Sequence, residues 1–298
     1  MPLAEAAIPL MDRGFLRSDV TYDVVHVWKG AFFRLDAHVE RFLASMARLR
    51  MSLPLSGEEM AAILHECVRR STLRDAYVQL TCTRGVPPPG VRDPRLCENR
   101  FYAFAQPFVW IANEAQRREG LDMTVSSFQR IPPSSVDPRV KNFHWLDLTM
   151  GTFEAYERDA IVPVLSDGNG NVTEGPGFNV FAVSNGTIAT PDRGVFEGMT
   201  RRTVIEIADS RLLQDMYRRL EGPALLFLRM ADGFYQEPQA IVDLHEPLLD
   251  AICSGDSARA AMFRGAVGRK VYFIGQDSDL RFFEPLQVVP PEGTFLYA

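Results

Sequence analysis

The segment VDPRVKNFHWLDL, residues 136–148, contains one of only three lysines in the chain. The other two are Lys29 and Lys270, and the remaining 29 of the 32 basic residues (32 minus 3) are arginines. Arginine serves as a surface cation as well as lysine does, but it does not lose its proton in proteins. A lysine amine can attack a carbonyl carbon. Lys141 is therefore a candidate for covalent chemistry, and an ordinary surface lysine is the alternative interpretation.

The composition restricts the class of protein. The chain has 298 residues, of which 46 % are hydrophobic and 23 % charged, as expected for a globular protein of one large or two smaller domains. The formal net charge is −6 and no basic run occurs, so we do not expect a nucleic-acid partner. No apolar stretch approaches the roughly 18 residues of a membrane span, and the N-terminus does not resemble a signal peptide. We therefore expect a cytoplasmic protein with no membrane partner.

Cysteine and histidine give no support for a structural metal or a disulfide framework. The four cysteines are widely spaced and form no CxxC pair, as is common for reduced thiols in the cytosol. The five histidines form no HExxH or HxH pair, so no zinc site is predicted.

Local patterns predict a mixed chain of the α+β class. Residues 24–35 read as two strands with a turn at Lys29-Gly30, and residues 36–53 read as a helix with Asp36 as its N-cap. A Ser-x-x-Glu capping box at Ser56 begins a second helix. Further strands are predicted within residues 75–85, 100–111, 161–191, 269–275 and 280–289, and further helices within residues 145–160, 198–210, 211–220 and 244–252.

A stretch rich in proline and serine, QRIPPSSVDPR at residues 129–139, predicts an interdomain linker. We place a smaller α/β domain at residues 1–131, the linker at 132–138 and a larger domain at 139–298.

Three further features are weak signals when each is taken alone. Gly198, Met199 and Thr200 open a helix whose backbone N–H groups can bind an anion, although an ordinary capped helix has the same pattern. Glu174 lies in the glycine-rich TEGPGFN, which indicates either a fixed acid or a loop carboxylate in water. Arg41 lies off the apolar face of its helix, as a solvated cation also does.

Together with Lys141, these features match the needs of pyridoxal phosphate. Its aldehyde forms a Schiff base with lysine, its phosphate binds helix N–H groups and arginine, and its pyridine nitrogen binds a carboxylate that keeps it protonated.

Residues from about 13 to 208 resemble the class IV aminotransferases that use pyridoxal phosphate, and most of all the (R)-selective amine transaminases. The matching stretches occur in the order typical of the family. They are SDVTYDVVHVW (18–28), FFRLDAHVERF (32–42), IPPSSVDPRVKNFHWLDL (131–148), DGNGNVTEGPGFNVF (167–181) and TPDRGVFEGMTRRTVIEIA (190–208).

The resemblance implies a two-domain fold of type IV, a homodimer and a role for each matching residue. Lys141 corresponds to the lysine that holds the cofactor and moves the proton, and Glu174 to the partner of the pyridine nitrogen. Arg41, Met199 and Thr200 correspond to the phosphate contacts. The implied substrate pocket contains Tyr22, Val24, Tyr77, Gln79, the mobile-loop arginine Arg92 and Trp145.

Two departures from the family pattern bear on function. Tyr77 and Gln79 stand where the amine-type members carry Phe and Glu. The family also has a Thr-Ala-Gly-Gly loop downstream of residue 208, but from residue 209 onward this chain contains only Thr294 as a threonine and no Gly-Gly pair. We therefore expect an atypical C-terminal part of the larger, cofactor-binding domain.

Transamination between a primary amine or amino acid and a ketone or 2-oxo acid is the leading hypothesis. Within the fold, the alternatives are a branched-chain or D-amino-acid aminotransferase and an enzyme like aminodeoxychorismate lyase. The alternative from another class is a non-catalytic dimeric scaffold that no longer binds the cofactor.

Overall fold

The computed structural model describes residues 1–184, 187–209 and 270–275, and their mixed helices and strands confirm the predicted α+β class. The helices are α1 (Arg13–Arg17), α2 (Leu35–Arg48), α3 (Gly57–Ser71), α4 (Glu114–Glu119), α5 (Leu146–Glu157) and α6 (Met199–Asp209). The strands are β1 (Val20–Trp28), β2 (Ala31–Phe32), β3 (Ala76–Thr83), β4 (Arg100–Pro107), β5 (Met123–Gln129), β6 (Val162–Ser166), β7 (Glu174–Gly175), β8 (Phe178–Ser184), β9 (Thr187–Ala189) and β10 (Lys270–Gly275).

The chain divides into two compact units. Unit 1 comprises Met1–Val109 and Arg139–His144, and unit 2 comprises Trp110–Pro138 and Trp145–Ala298. The predicted linker at 132–138 falls within unit 2, and the segment 139–144, which we predicted for the larger domain, is assigned to unit 1. The segment 110–131, which we predicted for the first domain, lies in unit 2 because β5 pairs with β6 there.

Unit 1 contains a four-stranded antiparallel sheet in the order β2-β1-β3-β4. The predicted turn between β1 and β2 is present. Lys29 and Gly30 both have positive φ, at 49° and 88°, which is the conformation of a tight two-residue hairpin turn. Alternate residues of β1, β3 and β4 face α2 and α3. These packed residues form the core of the unit, and they include Val25, Val27, Phe42, Met60, Leu64, Val78 and Leu80.

The two helices of this core begin differently. At α3 the predicted capping box is confirmed, because Ser56 Oγ accepts from Glu59 N and the Glu59 carboxylate accepts from Ser56 N. At α2 the predicted N-cap was wrong. The helix begins at Leu35 with Arg34 as N-cap, and Asp36 lies in the first turn. An acidic residue is favourable there because it faces the positive end of the helix dipole.

Unit 2 contains a parallel pair, β5-β6, and an antiparallel group in the order β10-β8-β7, with β9 paired to β8. Helix α5 packs closely on β5 and β6. A Cβ at Gly151 of this helix would meet Leu165 Cδ1 at 2.9 Å and Ser126 Oγ at 3.2 Å. Gly151 thus allows α5 to lie close to β5 and β6. Asp147 lies in the first turn of this helix.

Strand β10 coincides with the predicted strand at residues 269–275. The predicted helices at 211–220 and 244–252 and the predicted strand at 280–289 lie outside the described residues, as does the region of the missing Thr-Ala-Gly-Gly loop. Among the residues that are described, no helix combines the length and the apolar character that crossing a membrane requires.

Candidate active site

Lys141 is buried in unit 1, with only 4 % of its surface exposed. Its carbonyl oxygen accepts hydrogen bonds from Thr21 Oγ1 at 2.7 Å and from Tyr22 N at 3.2 Å, which fixes its backbone against β1. Its Nζ lies 4.8 Å from the centre of the Tyr22 ring. Since burial of an ammonium group is costly, a buried lysine indicates a functional site rather than a surface cation.

Four predicted pocket residues share one face of the unit 1 sheet. Tyr22 lies opposite Thr81, Val24 opposite Gln79, and His26 opposite Tyr77 in the β1-β3 register. Because side chains alternate across a strand, these residues point away from the core that α2 and α3 cover. The sheet therefore brings Tyr22, Val24, Tyr77 and Gln79 together on one face.

Gln79 is held by its neighbours along β3. Tyr77 OH donates to Gln79 Oε1 at 3.0 Å, and Gln79 Nε2 donates to Thr81 Oγ1 at 2.9 Å. A glutamate at this position would have no N–H to donate to Thr81. Gln79, which stands where the amine-type members carry glutamate, therefore takes part in a hydrogen-bond chain that glutamate could not complete.

Arg41 takes part in a buried polar cluster on the opposite face. Its Nε and Nη2 donate to the two oxygens of Asp23, and His38 Nδ1 lies 2.8 Å from Asp23 Oδ1. Because a carboxylate only accepts hydrogen bonds, Nδ1 of His38 carries the proton in this contact. Burial alone would raise the pKa of Asp23, but the charge of Arg41, together with the hydrogen bonds from His38 and Arg41, outweighs it and holds the pKa well below its usual range.

Burial lowers the pKa of His38, and this effect exceeds the opposing attraction of Asp23. Arg41 and Lys141 lower the pKa of His38 further, because a charged imidazole would repel both cations. His38 is therefore neutral at neutral pH, and Arg41 supplies the positive charge that Asp23 requires.

Glu174 forms the centre of a second cluster, which lies in unit 2. Arg130 Nε donates to Glu174 Oε1 at 3.0 Å, and Phe196 N donates to Glu174 Oε2 at 2.9 Å. Arg130 also donates from Nη1 to Asp147 Oδ2 at 2.7 Å. Burial alone would lower the pKa of Arg130, but Glu174 and Asp147 raise it above its ordinary value. The glycine-rich loop thus holds a fixed carboxylate, and the alternative of a loop acid in water is wrong.

The N-terminus of α6 is also buried in unit 2. Met199 is 2 % exposed and Thr200 is 1 % exposed. A Cβ at Gly198 would overlap Oδ1 of Asn179, whose Nδ2 donates to the carbonyl of Phe196 at 2.9 Å. Glycine is therefore required for the close approach of this turn to Asn179, directly before the N-terminus of α6.

The two remaining predicted substrate-binding residues, Arg92 and Trp145, lie outside the strands of the unit 1 sheet. Arg92 is exposed on the loop between β3 and β4. Trp145 is partly buried and forms the N-cap of α5 in unit 2. No described contact assigns either of them to a substrate.

Sequence reasoning missed Asp23, His38, Arg130 and Asp147. Asp23, His38 and Asp147 lie inside segments that match the family, in TYDVV, DAHVE and WLDL, and Arg130, in FQRIP, directly precedes one. Their partners lie 15 to 44 residues away along the chain, so spacing within one element does not reveal them. A polar residue inside an otherwise apolar strand, such as Asp23 in β1, was the available signal.

The donor set fits a cofactor that carries an aldehyde, a basic ring nitrogen and a phosphate. Within unit 1 these groups are the primary amine of Lys141 and the guanidinium of Arg41. Within unit 2 they are the carboxylate of Glu174 and the N-terminus of α6 at Met199 and Thr200. Within the described parts of the chain, no group of His, Cys, Asp and Glu is arranged to hold a metal ion.

Comparison with known proteins identifies the family of this chain. The amino-transferase class IV family matches residues 21–221, and the FCD domain family matches residues 197–263. The chain is 32 % identical over 207 residues to a putative branched-chain-amino-acid aminotransferase of Methanocaldococcus jannaschii, which is 68 % of this chain and 70 % of that protein. It is 28 % identical over 209 residues to a D-alanine aminotransferase of Listeria monocytogenes, with the same coverage of 68 % and 70 %.

Solved structures agree with this result. The branched-chain aminotransferase of Thermoproteus uzoniensis with norvaline superposes with a TM-score of 0.63 at 28 % identity, over 69 % of this chain and 70 % of that one. The enzyme of Thermobaculum terrenum in its PLP form gives 0.62 at 25 % identity, over 71 % of each chain. The chain therefore belongs to the class IV aminotransferases, and it is a transaminase that depends on pyridoxal phosphate. This confirms the predicted fold type, reaction class and cofactor.

Proposed function

We propose that this transaminase moves an amino group between a primary amine and a ketone or 2-oxo acid, with Lys141 as its catalytic residue and with the preference of the (R)-amine type. The observation that carries the proposal is the burial of Lys141 against Tyr22, in a chain whose other basic residues are nearly all arginine. A buried primary amine beside an aromatic ring suits a residue that alternates between bond formation and proton transfer.

Each of the other proposed cofactor contacts has a defined support. Arg41 binds the phosphate, and Asp23 fixes the plane of its guanidinium. The backbone of Met199 and the hydroxyl of Thr200 add donors at a helix N-terminus, where negative charge is stabilised. Glu174 binds the ring nitrogen, and two hydrogen bonds orient its carboxylate.

Bound pyridoxal phosphate supplies an aldehyde that takes up the amino group and a ring that accepts electrons from the donor carbon. Lys141 Nζ removes the proton from that carbon and returns a proton to complete the transfer. Glu174 holds the proton on the ring nitrogen, which makes the ring a stronger electron acceptor. Tyr22 shields the amine from water on one side, so that the proton is not exchanged with solvent.

The proposed preference for amines is supported by the residues on the unit 1 sheet face that lies away from the core. The three central β1-β3 rungs carry Tyr22, Val24, His26, Tyr77, Gln79 and Thr81 there, and Tyr22, Val24, His26 and Thr81 are buried. No arginine or lysine is among these six, and the partly exposed Tyr77 and Gln79 offer an aromatic ring and hydrogen-bonding groups to a substrate. A substrate carboxylate requires a cation, and Arg92 on the exposed loop is the proposed donor, with Trp145 as a further pocket wall.

A branched-chain or D-amino-acid aminotransferase remains the alternative. It is supported by the similarity to a putative branched-chain-amino-acid aminotransferase and to a D-alanine aminotransferase. The two readings differ in whether turnover requires a carboxylate on both substrates. We also propose a homodimer located in the cytoplasm, with small molecules as its other partners.

Borohydride reduction of the holoenzyme followed by peptide mapping tests the assignment of Lys141. We expect the cofactor on the peptide that contains residue 141 in the wild type and no adduct in Lys141→Arg. The chain offers two matched controls, Lys29→Arg and Lys270→Arg, which should keep the adduct. An adduct on another peptide, or full amine turnover by Lys141→Arg, would contradict the proposal.

A further inference from the structure

The cluster around Glu174 is buried and ionic. Side-chain exposure is 4 % for Glu174, 15 % for Arg130 and 11 % for Asp147. Two carboxylates and one guanidinium carry formal charges that sum to −1. Buried charges interact more strongly than surface charges do. The net charge of the three groups therefore changes the binding free energy of any charged group beside them.

Arg130 by itself opposes the role proposed for Glu174. A permanent cation 3.0 Å from Glu174 Oε1 weakens the attraction of this carboxylate for a second cation. Asp147 accepts from the other end of the same guanidinium at 2.7 Å, and its negative charge offsets that of Arg130. The charges of Arg130 and Asp147 therefore nearly cancel at a cation that binds Glu174 on the side away from Arg130.

We propose that Asp147 is a positioning residue for the cofactor: it offsets the charge of Arg130, so that the cluster keeps one negative charge in excess and Glu174 binds the ring nitrogen in its protonated form. The inference rests on the proposed role of Glu174 and adds a residue that acts through Arg130 without touching the cofactor. This electrostatic role accounts for the acid at residue 147.

A purely structural role for Asp147 is the competing explanation. Asp147 Oδ2 also accepts from Ile131 N at 2.9 Å, and the residue lies in the first turn of α5. Asp147 Oδ1 accepts from Leu148 N at 2.8 Å, so Asp147→Asn, which has one acceptor oxygen, loses a structural contact as well as the charge. The two roles are separated by comparing ligands. A structural role predicts equal losses for every ligand, whereas an electrostatic role depends on the charge of the ring.

The experiment compares two probes that bind the apoprotein. One is pyridoxal 5′-phosphate, and the other is its carbocyclic analogue, in which a C–H replaces the ring nitrogen. Both carry the aldehyde and the phosphate, so contacts with Lys141 and Arg41 are common to them. Dissociation constants are measured by quenching of tryptophan fluorescence for the wild type, Asp147→Asn, Glu174→Gln and the exposed control Asp122→Asn. Thermal melting of each apoprotein reports whether it folds.

We expect Asp147→Asn to weaken the binding of pyridoxal phosphate by about tenfold while the affinity for the analogue stays unchanged, since only the nitrogen-bearing ring carries the positive charge. Asp122→Asn should behave as the wild type does. Equal losses for both probes, or no loss for either, would overturn the role of Asp147.

A double variant keeps the inference testable if Asp147→Asn folds poorly. Arg130→Gln combined with Asp147→Asn removes one charge of each sign, so the cluster again sums to −1 and keeps amide groups for hydrogen bonding. The preference for the nitrogen-bearing probe should return to the wild-type value. A double variant with no preference would contradict the charge argument.

The Glu174→Gln variant tests the role of Glu174 separately from the role of Asp147. If it removes the preference and Asp147→Asn does not, the role of Glu174 stands and the inference about Asp147 is wrong. If the wild type shows no preference and Glu174→Gln changes nothing, the proposed role of Glu174 is itself wrong.

Discussion

Arg41 donates from Nε to Asp23 Oδ2 at 2.8 Å and from Nη2 to Asp23 Oδ1 at 2.7 Å, so that the two side chains meet in a two-point contact between α2 and β1. Asp23 is completely buried and Arg41 is 14 % exposed at its side chain. Such a pair fixes the plane of the guanidinium. The guanidinium of Arg41, the proposed phosphate contact, is thereby oriented before the cofactor arrives.

Asp23→Asn should destabilise the protein and weaken the binding of the cofactor phosphate. Loss of the carboxylate leaves the Arg41 cation buried without its charge partner, and breaking a buried pair costs about 3 kcal/mol. Melting of the apoprotein measures the first effect. For the second, the affinity for pyridoxal phosphate should fall more than that for pyridoxal, which lacks the phosphate.

The exposed pair Asp93–Arg95 provides the control for this variant. Asp93→Asn should change neither the melting temperature nor the affinity for the cofactor, because an exposed ion pair contributes little. An equal drop in affinity for pyridoxal and pyridoxal phosphate in Asp23→Asn would argue against Arg41 as the phosphate contact.

His38 should make stability depend on pH below neutrality. Burial holds its pKa below the ordinary value of 6.5. As pH falls below about 6.5, the unfolded histidine takes up a proton and the folded one does not, so the free energy of unfolding decreases. His38→Gln should flatten this part of the profile from chemical unfolding.

Asp23 should add a second decrease at lower pH. Burial acts to raise its pKa, but Arg41 and His38 hold that pKa below its ordinary range. Its contribution to stability is therefore complete above about pH 4, where an unfolded aspartate is ionised, and it is lost as pH falls toward the lower folded value. A profile without further loss below about pH 4 would contradict the assignment of Asp23 as the buried anion.

Gly198→Ala should damage the anion site at α6. The new Cβ would overlap Asn179 Oδ1, and Asn179 supports the carbonyl of Phe196, whose N–H binds Glu174. Overpacking of this kind costs about 1–3 kcal/mol. We expect a lower melting temperature and weaker binding of pyridoxal phosphate.

Gly57→Ala is the matched control for this substitution. Gly57 also lies at the start of a helix, but its nearest neighbour to a new Cβ is Val39 Cγ1 at 3.3 Å. Alanine should be tolerated there with little change in melting temperature. A Gly198→Ala protein as stable as Gly57→Ala would show that the turn before α6 has room to move.

Arg92→Ala should separate amines from oxo acids. If Arg92 binds a substrate carboxylate, turnover of a 2-oxo acid should fall by about tenfold or more, the value of a charged hydrogen bond. Turnover of an amine with a simple ketone should be unaffected. Arg95→Ala on the same loop is the control, and loss of both activities in Arg92→Ala would sink the amine-transaminase interpretation.

Phe153→Glu should weaken the proposed homodimer. Helix α5 exposes apolar side chains at helical spacing, with Leu146 at 74 %, Met150 at 38 %, Phe153 at 56 % and Tyr156 at 59 %. A stripe of this kind suits an interface between subunits. Sedimentation should show a dimer for the wild type and monomer for Phe153→Glu, with Leu96→Glu on an exposed loop as control. A monomeric wild type would refute the proposal.

The sequence by itself determined the local elements and the chemistry of single residues. The β1-β2 turn follows from Lys29-Gly30, and the start of α3 follows from the Ser56–Glu59 capping box, because both depend on contacts within a few residues. Lys141 and Glu174 were predicted because lysine is rare in this chain and because ordered motifs surround both positions.

The tertiary structure alone decided which charges meet. Asp23 and Arg41 are 18 residues apart, and Arg130 and Glu174 are 44 residues apart, so no helical or strand period links them. The shift in the pKa of His38 likewise depends on burial by elements distant in sequence. Electrostatic energy depends on distance and on exclusion of water, and both are set only when the strands and helices pack.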